Sequence, residues 1–205
     1  TAKRYDNYIT GEWVAGADYS ANINPSELTD TIGDYAKADL AQVNAAIDAA
    51  HRAFLWQDAR RQVDFFRASL KADGSFAVLA ADGSPLPDGP QELHTTTRLV
   101  HSYALAKAAG ESGCDAIIDA GMACLFGQHH DAQHGGWVWS FDAAGVADGV
   151  KLAYGHVFVL LAGASAHLVG HPDGARLIAQ ATEVIEARYW DDAHGLLRDE
   201  YSRDW

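Results

Sequence analysis

The stretch DAQHGGWVWSFDAAG, Asp131–Gly145, decides the fold because it occurs in altered form twice more. KADGSFAVLAADG (Lys71–Gly83) and DDAHGLLRDEYSRDW (Asp191–Trp205) share with it an acidic turn, a glycine and an alternating stretch. The matched glycines Gly74, Gly136 and Gly195 lie 62 and 59 residues apart. That is an internal repeat with a period of about 60 residues. Between successive glycines sit two helical patterns. ELHTTTRLVHSYALAKAAG is followed by CDAIIDAGMACLFGQHH, KLAYGHVFVLLAGASAHLVG by GARLIAQATEVIEARYW, and WQDARRQVDFFRASLK precedes both pairs. These patterns predict helices over 56–71, 93–108, 112–127, 151–169 and 174–190. In each repeat one helix, 93–108 or 151–169, reads as more apolar, and the others carry more charge on one face. This suits two concentric layers, with hairpins capping one rim. An α/α toroid is the natural architecture, and a flat helical solenoid is the alternative.

Composition bounds the function. The formal net charge of −13 opposes nucleic-acid and anionic-membrane binding. The longest apolar run, near Val157–Ala166, is too short to span a bilayer. Thr1–Thr10 is polar and mixed, which reads as no secretory signal. Cys114 and Cys124 lack zinc-ribbon spacing and read as reduced thiols of a cytoplasmic protein. HHDAQH, His129–His134, contains an i,i+4 histidine pair, but Gly135-Gly136 ends any helix there. It reads as a solvated turn, with no metal site expected. Trp137 and Trp139 alternate on the hairpin and should pack against helices.

Residues 1–54 differ in texture. NYITGEWV (Asn7–Val14) signals a hairpin around Thr10-Gly11, and DTIGDYAKA a further strand. DLAQVNAAIDAAHRAF (Asp39–Phe54) has an acidic cap candidate and apolar residues at helical spacing, predicting one amphipathic helix. The motifs Tyr8-Ile9, Gly11-Glu12-Trp13-Val14, Asn24-Pro25 and Ile32-Gly33, with the helix ending at Phe54, resemble the extreme N-terminus of aldehyde dehydrogenases. That family's nucleotide-binding turn and catalytic Cys and Glu have no match here, so the segment brings no chemistry.

The polar stripe in ELHTTTRLVHSYALAKAAG needs an explanation. His94, Arg98 and His101 fall at i, i+4 and i+7, on one helix face. Thr95, Thr96 and Thr97 are poor helix formers, and at a helix entrance their oxygens can cap backbone donors.

The Arg-x-x-His of TTRLVHSYALA, the GGWVWSFD hairpin, the AYGHVFVLLAGASA helix and RYWDDAHGLLRDEYSRDW together resemble the N-acylglucosamine 2-epimerase superfamily. The resemblance covers Trp56–Trp205. It implies a mainly α chain holding a partial (α/α)6 toroid, about five of twelve helices, in a unit spanning 55–205. A small α+β segment, 1–54, precedes it. It further implies a sugar 2-epimerase or aldose–ketose isomerase that moves a proton next to the sugar carbonyl through an enediol, on a mono- or disaccharide, without a cofactor. By the same resemblance Arg98 reaches a sugar oxygen. His94 stands where many relatives carry Trp, so an imidazole replaces a stacking ring. Tyr154 reads as a polar-tipped pocket wall that can meet Arg98. His101 and His156 are auxiliary candidates for catalysis, each with a core-histidine alternative. The base-bearing helices of the family are not matched, so the catalytic machinery is expected to be incomplete. Exposed apolar flanks should favour self-association or a second chain that completes the barrel. A non-catalytic helical binding module is the competing reading.

Overall fold

A computed structural model describes residues 3–9, 12–47, 49–86 and 89–205. They form two compact units, 1–60 and 61–205.

The first unit is small. Strand β1 (Arg4–Tyr5) runs parallel to β5 (Thr31–Lys37), whose other edge pairs antiparallel with β4 (Asp18–Ile23). Strands β2 (Asn7–Ile9) and β3 (Glu12–Val14) pair antiparallel as Asn7↔Val14, Tyr8↔Trp13 and Ile9↔Glu12. The Thr10-Gly11 turn expected between them lies outside the described residues. The single amphipathic helix expected over 39–54 is not formed. Helix α1 covers only Leu40–Ala46, and α2 begins afresh at Ala49 and runs to Arg67. Asp39 and Gln42 close a capping box at the start of α1. At its end Ile47 is extended, and its carbonyl accepts from Arg52 Nε at 3.4 Å. The apolar face expected to hold the helix together has little to bury against, since Val43 and Phe54 are exposed. Local polar capping therefore sets the boundaries instead.

The second unit contains α3 (Leu93–Ala108), α4 (Asp115–Phe126), α5 (Ala153–Leu168) and α6 (Gly174–Val184), close to the sequence expectation. A π-helical turn, Ile185–Tyr189, follows α6 directly. Helix α3 packs against α4 and α5, and α5 packs against α6. Leu93, Val100, Tyr103, Ile118, Met122, Val159, Ala162, Leu177 and Ala181 form the shared core. The expected contrast between apolar inner and charged outer helices fails for α4, which buries Ile117, Ile118, Gly121, Met122, Cys124 and Leu125. The reason is close contact: a Cβ on Gly121 would overlap Val100 Cγ2 of α3.

Short strands gather at the starts of α3 and α5. Strand β6 (Gln91–Glu92) pairs with β7 (Ser140–Asp142), which pairs with β8 (Gly145–Asp148). Strand β9 (Lys151–Leu152) pairs with β12 (Glu200–Tyr201), and β10 (Trp190–Asp191) with β11 (Leu196–Leu197). The repeat keeps a strict register of 60 residues. Gln91↔Phe141 recurs as Lys151↔Tyr201. The Leu93 N–H to Trp139 carbonyl bond of 2.7 Å recurs as Ala153 N–H to Asp199 carbonyl at 2.8 Å.

Because Gly121 sets the α3–α4 approach, Gly121→Ala is expected to cost about 1–3 kcal/mol. A lowered midpoint in urea unfolding checks this, and an unchanged midpoint contradicts it.

Candidate functional site

The Arg98 stripe lies between α3 and α5. Arg98 Nη2 donates to Tyr154 Oη at 2.8 Å, and its guanidinium lies 5.2 Å from the Phe158 ring centroid. Tyr154 and Phe158 are one turn apart on α5, with centroids 4.7 Å apart. The Tyr154 hydroxyl and the Phe158 ring thus hold a permanently charged, planar donor set on an exposed residue. No carboxylate forms an ion pair with Arg98 among the described residues. The expected meeting of Arg98 and Tyr154 is present. Phe158, which completes the platform, escaped the sequence reading. Its only signal was the i,i+4 spacing from Tyr154.

His94, one turn before Arg98, stacks on Trp139 at 5.2 Å with an interplanar angle of 19°. It therefore keeps the stacking role of a flat ring, but toward the hairpin. Its Nδ1 lies 3.4 Å from Glu92 Oε2, yet off the line needed for a hydrogen bond, and is otherwise unpaired. His101 Nδ1 lies 2.7 Å from Ser165 Oγ of α5. The threonines do not cap the helix. Thr96 Oγ1 reaches back to the Glu92 carbonyl, and Thr97 Oγ1 to those of Leu93 and His94. Side-chain hydroxyls inside a helix find the preceding turn's carbonyls first.

His156 is a correction. It is fully buried, and both its nitrogens are engaged inside the protein. Nε2 accepts the Trp137 N–H at 3.1 Å, which leaves the proton on Nδ1, 2.8 Å from the Leu152 carbonyl. The Tyr189 hydroxyl lies 3.0 Å from the same nitrogen. Burial lowers the His156 pKa to about 4. It is a neutral structural group that offers nothing to a ligand. Gly136 makes room for it: a Cβ there would sit 2.8 Å from His156 Nε2, and the residue has φ +71°.

HHDAQH is also corrected, since it is not a solvated turn. His129 is fully buried, with Nε2 2.9 Å from Thr96 Oγ1 and Nδ1 3.3 Å from the Val138 carbonyl, and burial lowers its pKa to about 4. Asp131 is buried too. It receives Arg203 Nε at 3.0 Å and lies 3.4 Å from Lys151 Nζ. Burial pushes the Asp131 carboxyl up, but the Arg203 and backbone hydrogen bonds and the Lys151 charge outweigh it, leaving it at about 2. Lys151 is itself enclosed, donating to the Gly135 carbonyl at 2.6 Å and standing 4.3 Å from the Trp205 ring. Nothing in the sequence spacing marks this cluster. Trp137 packs in the core as expected, with Nε1 donating to the Leu125 carbonyl. Among the described residues no helix is long and apolar enough to cross a membrane.

This repeat of paired helices with strand-capped starts has close counterparts. The crystal structure of a D-mannose isomerase matches at a TM-score of 0.70 with 27% identity, over 75% of this chain and 40% of that one. Cellobiose 2-epimerase from Spirochaeta thermophila matches at 0.66 with 20% identity, over 77% and 42%. The second unit thus has the fold of helical-barrel proteins. The family model of N-acylglucosamine 2-epimerase matches residues 74–205, and the chain belongs to that family. It is 43% identical over 160 residues to the D-mannose isomerase of Thermobifida fusca, covering 77% of this chain and 39% of that protein. The D-mannose isomerase of Pseudomonas cannabina pv. alisalensis is 38% identical over 160 residues, with 76% and 37% covered. The chain therefore spans about two fifths of the length of these relatives.

The two buried histidines set an acid limit. Their folded pKa values lie below the ordinary 6.5, so the unfolded chain takes up protons the folded chain refuses. Stability from these groups should level off about one pH unit above 6.5 and fall as the pH drops through 6.5 toward 4, by up to about 3 kcal/mol per pH unit for two groups. Urea unfolding from pH 7.5 to 5 measures the slope. His156→Gln should lower stability at neutral pH and flatten the slope, and an unaltered slope would contradict this.

Proposed function

We propose that the chain is part of a sugar 2-epimerase or aldose–ketose isomerase acting on a mono- or disaccharide such as mannose. The observation that carries this reading is Arg98, held without an acidic partner on the Tyr154–Phe158 platform. Such a donor suits a carbonyl oxygen that gains charge as an enediol forms. Reprotonation at the same carbon gives the epimer, and at its neighbour the isomer. A general base near neutral pH is needed, and histidine suits it. His156 is buried with both nitrogens engaged, so we assign this role to His101 or His94 among the described residues. We read these residues, with Tyr154, as one wall of the sugar pocket, and the chain alone as short of complete catalytic machinery.

The same reading takes the second unit as a partial (α/α)6 toroid of a cytoplasmic protein. Residues 1–54 are an aldehyde dehydrogenase-like segment without chemistry of its own. Helix α5 supports the toroid. Its residues Val157, Leu161 and Leu168 form a stripe whose exposure runs from 37% at Leu161 to 68% at Leu168. The stripe has the 3-4 spacing of a helix seam, and α5 carries no Asp, Glu, Lys or Arg to solvate it. A second copy, or a second chain that completes the barrel, covers it.

Titration of D-mannose followed by tryptophan fluorescence is expected to show binding in which Arg98→Ala weakens affinity by about tenfold or more. Equal affinity in the variant would sink the pocket assignment. The purified 205-residue chain is expected not to interconvert mannose and fructose at ordinary enzyme rates; rapid turnover would overturn the incomplete-machinery reading. Sedimentation should show self-association that Leu161→Glu with Leu168→Glu abolishes, and a wild-type monomer without exposed apolar surface would contradict it.

A further inference from the structure

We propose that Ser165 is a positioning residue that fixes His101 as the Nδ1–H tautomer and so presents Nε2 as a hydrogen-bond acceptor for a sugar hydroxyl. The inference rests on the reading of the α3–α5 face as a sugar wall, but its core is a proton position that can be measured without sugar.

The argument is a count of protons and lone pairs. Ser165 Oγ lies 2.7 Å from His101 Nδ1 and 2.8 Å from the Leu161 carbonyl, and the hydroxyl has one proton to give. If it goes to Leu161, Oγ is left as an acceptor and Nδ1 must carry the imidazole proton. Both contacts are then hydrogen bonds. If it goes to Nδ1, only one bond forms, because two oxygens without a proton between them do not attract. The first arrangement keeps one extra hydrogen bond at a buried serine and is favoured by it. Chained donors also strengthen one another, which favours the same order. This outweighs the small preference of a free imidazole for the Nε2–H form.

The other nitrogen is then the functional one. His101 is half-buried, and its Nε2 has no hydrogen-bond partner among the described residues. Nor is it among the side-chain nitrogens and oxygens buried without a partner, so it is open to solvent. His101 follows Arg98 by three residues on the same helix face, while Arg98 contributes only donors. A sugar hydroxyl both donates and accepts; Arg98 serves only its accepting side, and the Tyr154 oxygen already accepts from Arg98. With Nδ1 protonated, His101 supplies the missing acceptor one turn deeper than Arg98. Ser165 acts only through His101, from the facing helix, and does not itself meet the sugar.

Long-range proton–nitrogen correlation NMR on the full chain with 15N-labelled histidine, at a pH where imidazoles are neutral, reads the tautomer directly. His101→Asn assigns the signal. The wild type is expected to show His101 as Nδ1–H, Ser165→Ala to move it toward Nε2–H, and Ser165→Thr, which keeps a hydroxyl, to retain Nδ1–H. An Nε2–H tautomer in the wild type, or an Ser165→Ala spectrum with His101 unchanged, overturns the proposal. D-mannose titration of the same proteins separates the sugar reading. Ser165→Ala should weaken binding by about three- to tenfold, in line with one lost hydrogen bond. A switched tautomer with unchanged mannose affinity overturns the acceptor role of His101. Loss of affinity in Arg98→Ala alongside that result leaves the pocket itself standing.

Discussion

The second unit depends on one backbone hydrogen bond made twice. The first N–H of an α-helix has no partner within the helix, and a buried one must find an acceptor. Neither α3 nor α5 has a side chain capping its start. The Leu93 N–H instead donates to the Trp139 carbonyl, and the Ala153 N–H to that of Asp199. Each acceptor belongs to the following repeat's hairpin segment. A helix of one repeat is therefore completed by the backbone of the next, and the two-residue strands β6 and β9 hold that joint in register.

The same joint explains the polar groups beneath it. Gln91, just before α3, accepts the Phe76 N–H and donates to Thr96. Lys151, just before α5, donates to the Gly135 carbonyl. One turn into α3, Thr96 meets His129; at the equivalent place in α5, His156 meets Tyr189. Both pairs are sixty residues apart in register, and both bury an imidazole that stays neutral. The second copy adds charge, because the buried Asp131 balances Lys151 and also pairs with Arg203. These satisfied networks fix the hairpins over the helix starts, leaving the outward faces of α3 and α5 to present Arg98, Tyr154 and Phe158.

The glycines and the helical spacing made the repeat legible, since turns and amphipathic faces are written in local sequence. Arg98 and Tyr154 were legible as a meeting pair because both stand near the starts of equivalent helices. The burial of His129, Asp131 and Lys151 was not, because a polar residue's environment is set by chain segments distant in sequence, here Thr96, Arg203 and Trp205. His156 looked like a site residue for the same reason: its neighbours Trp137 and Tyr189 decide that it faces inward. The break between α1 and α2 went unseen because apolar spacing predicts a face, not whether anything covers it. At Val43 and Phe54 little does.

Native-state hydrogen exchange of the Leu93 and Ala153 amides tests the joint most directly. If each helix start is completed by the next hairpin, these two amides exchange as slowly as those of Val100 and Ala162 in the helix interiors, through opening of the whole unit. If instead they exchange with the fast rates of a fraying helix end while Val100 and Ala162 stay protected, the repeats are not joined in this way and the account fails.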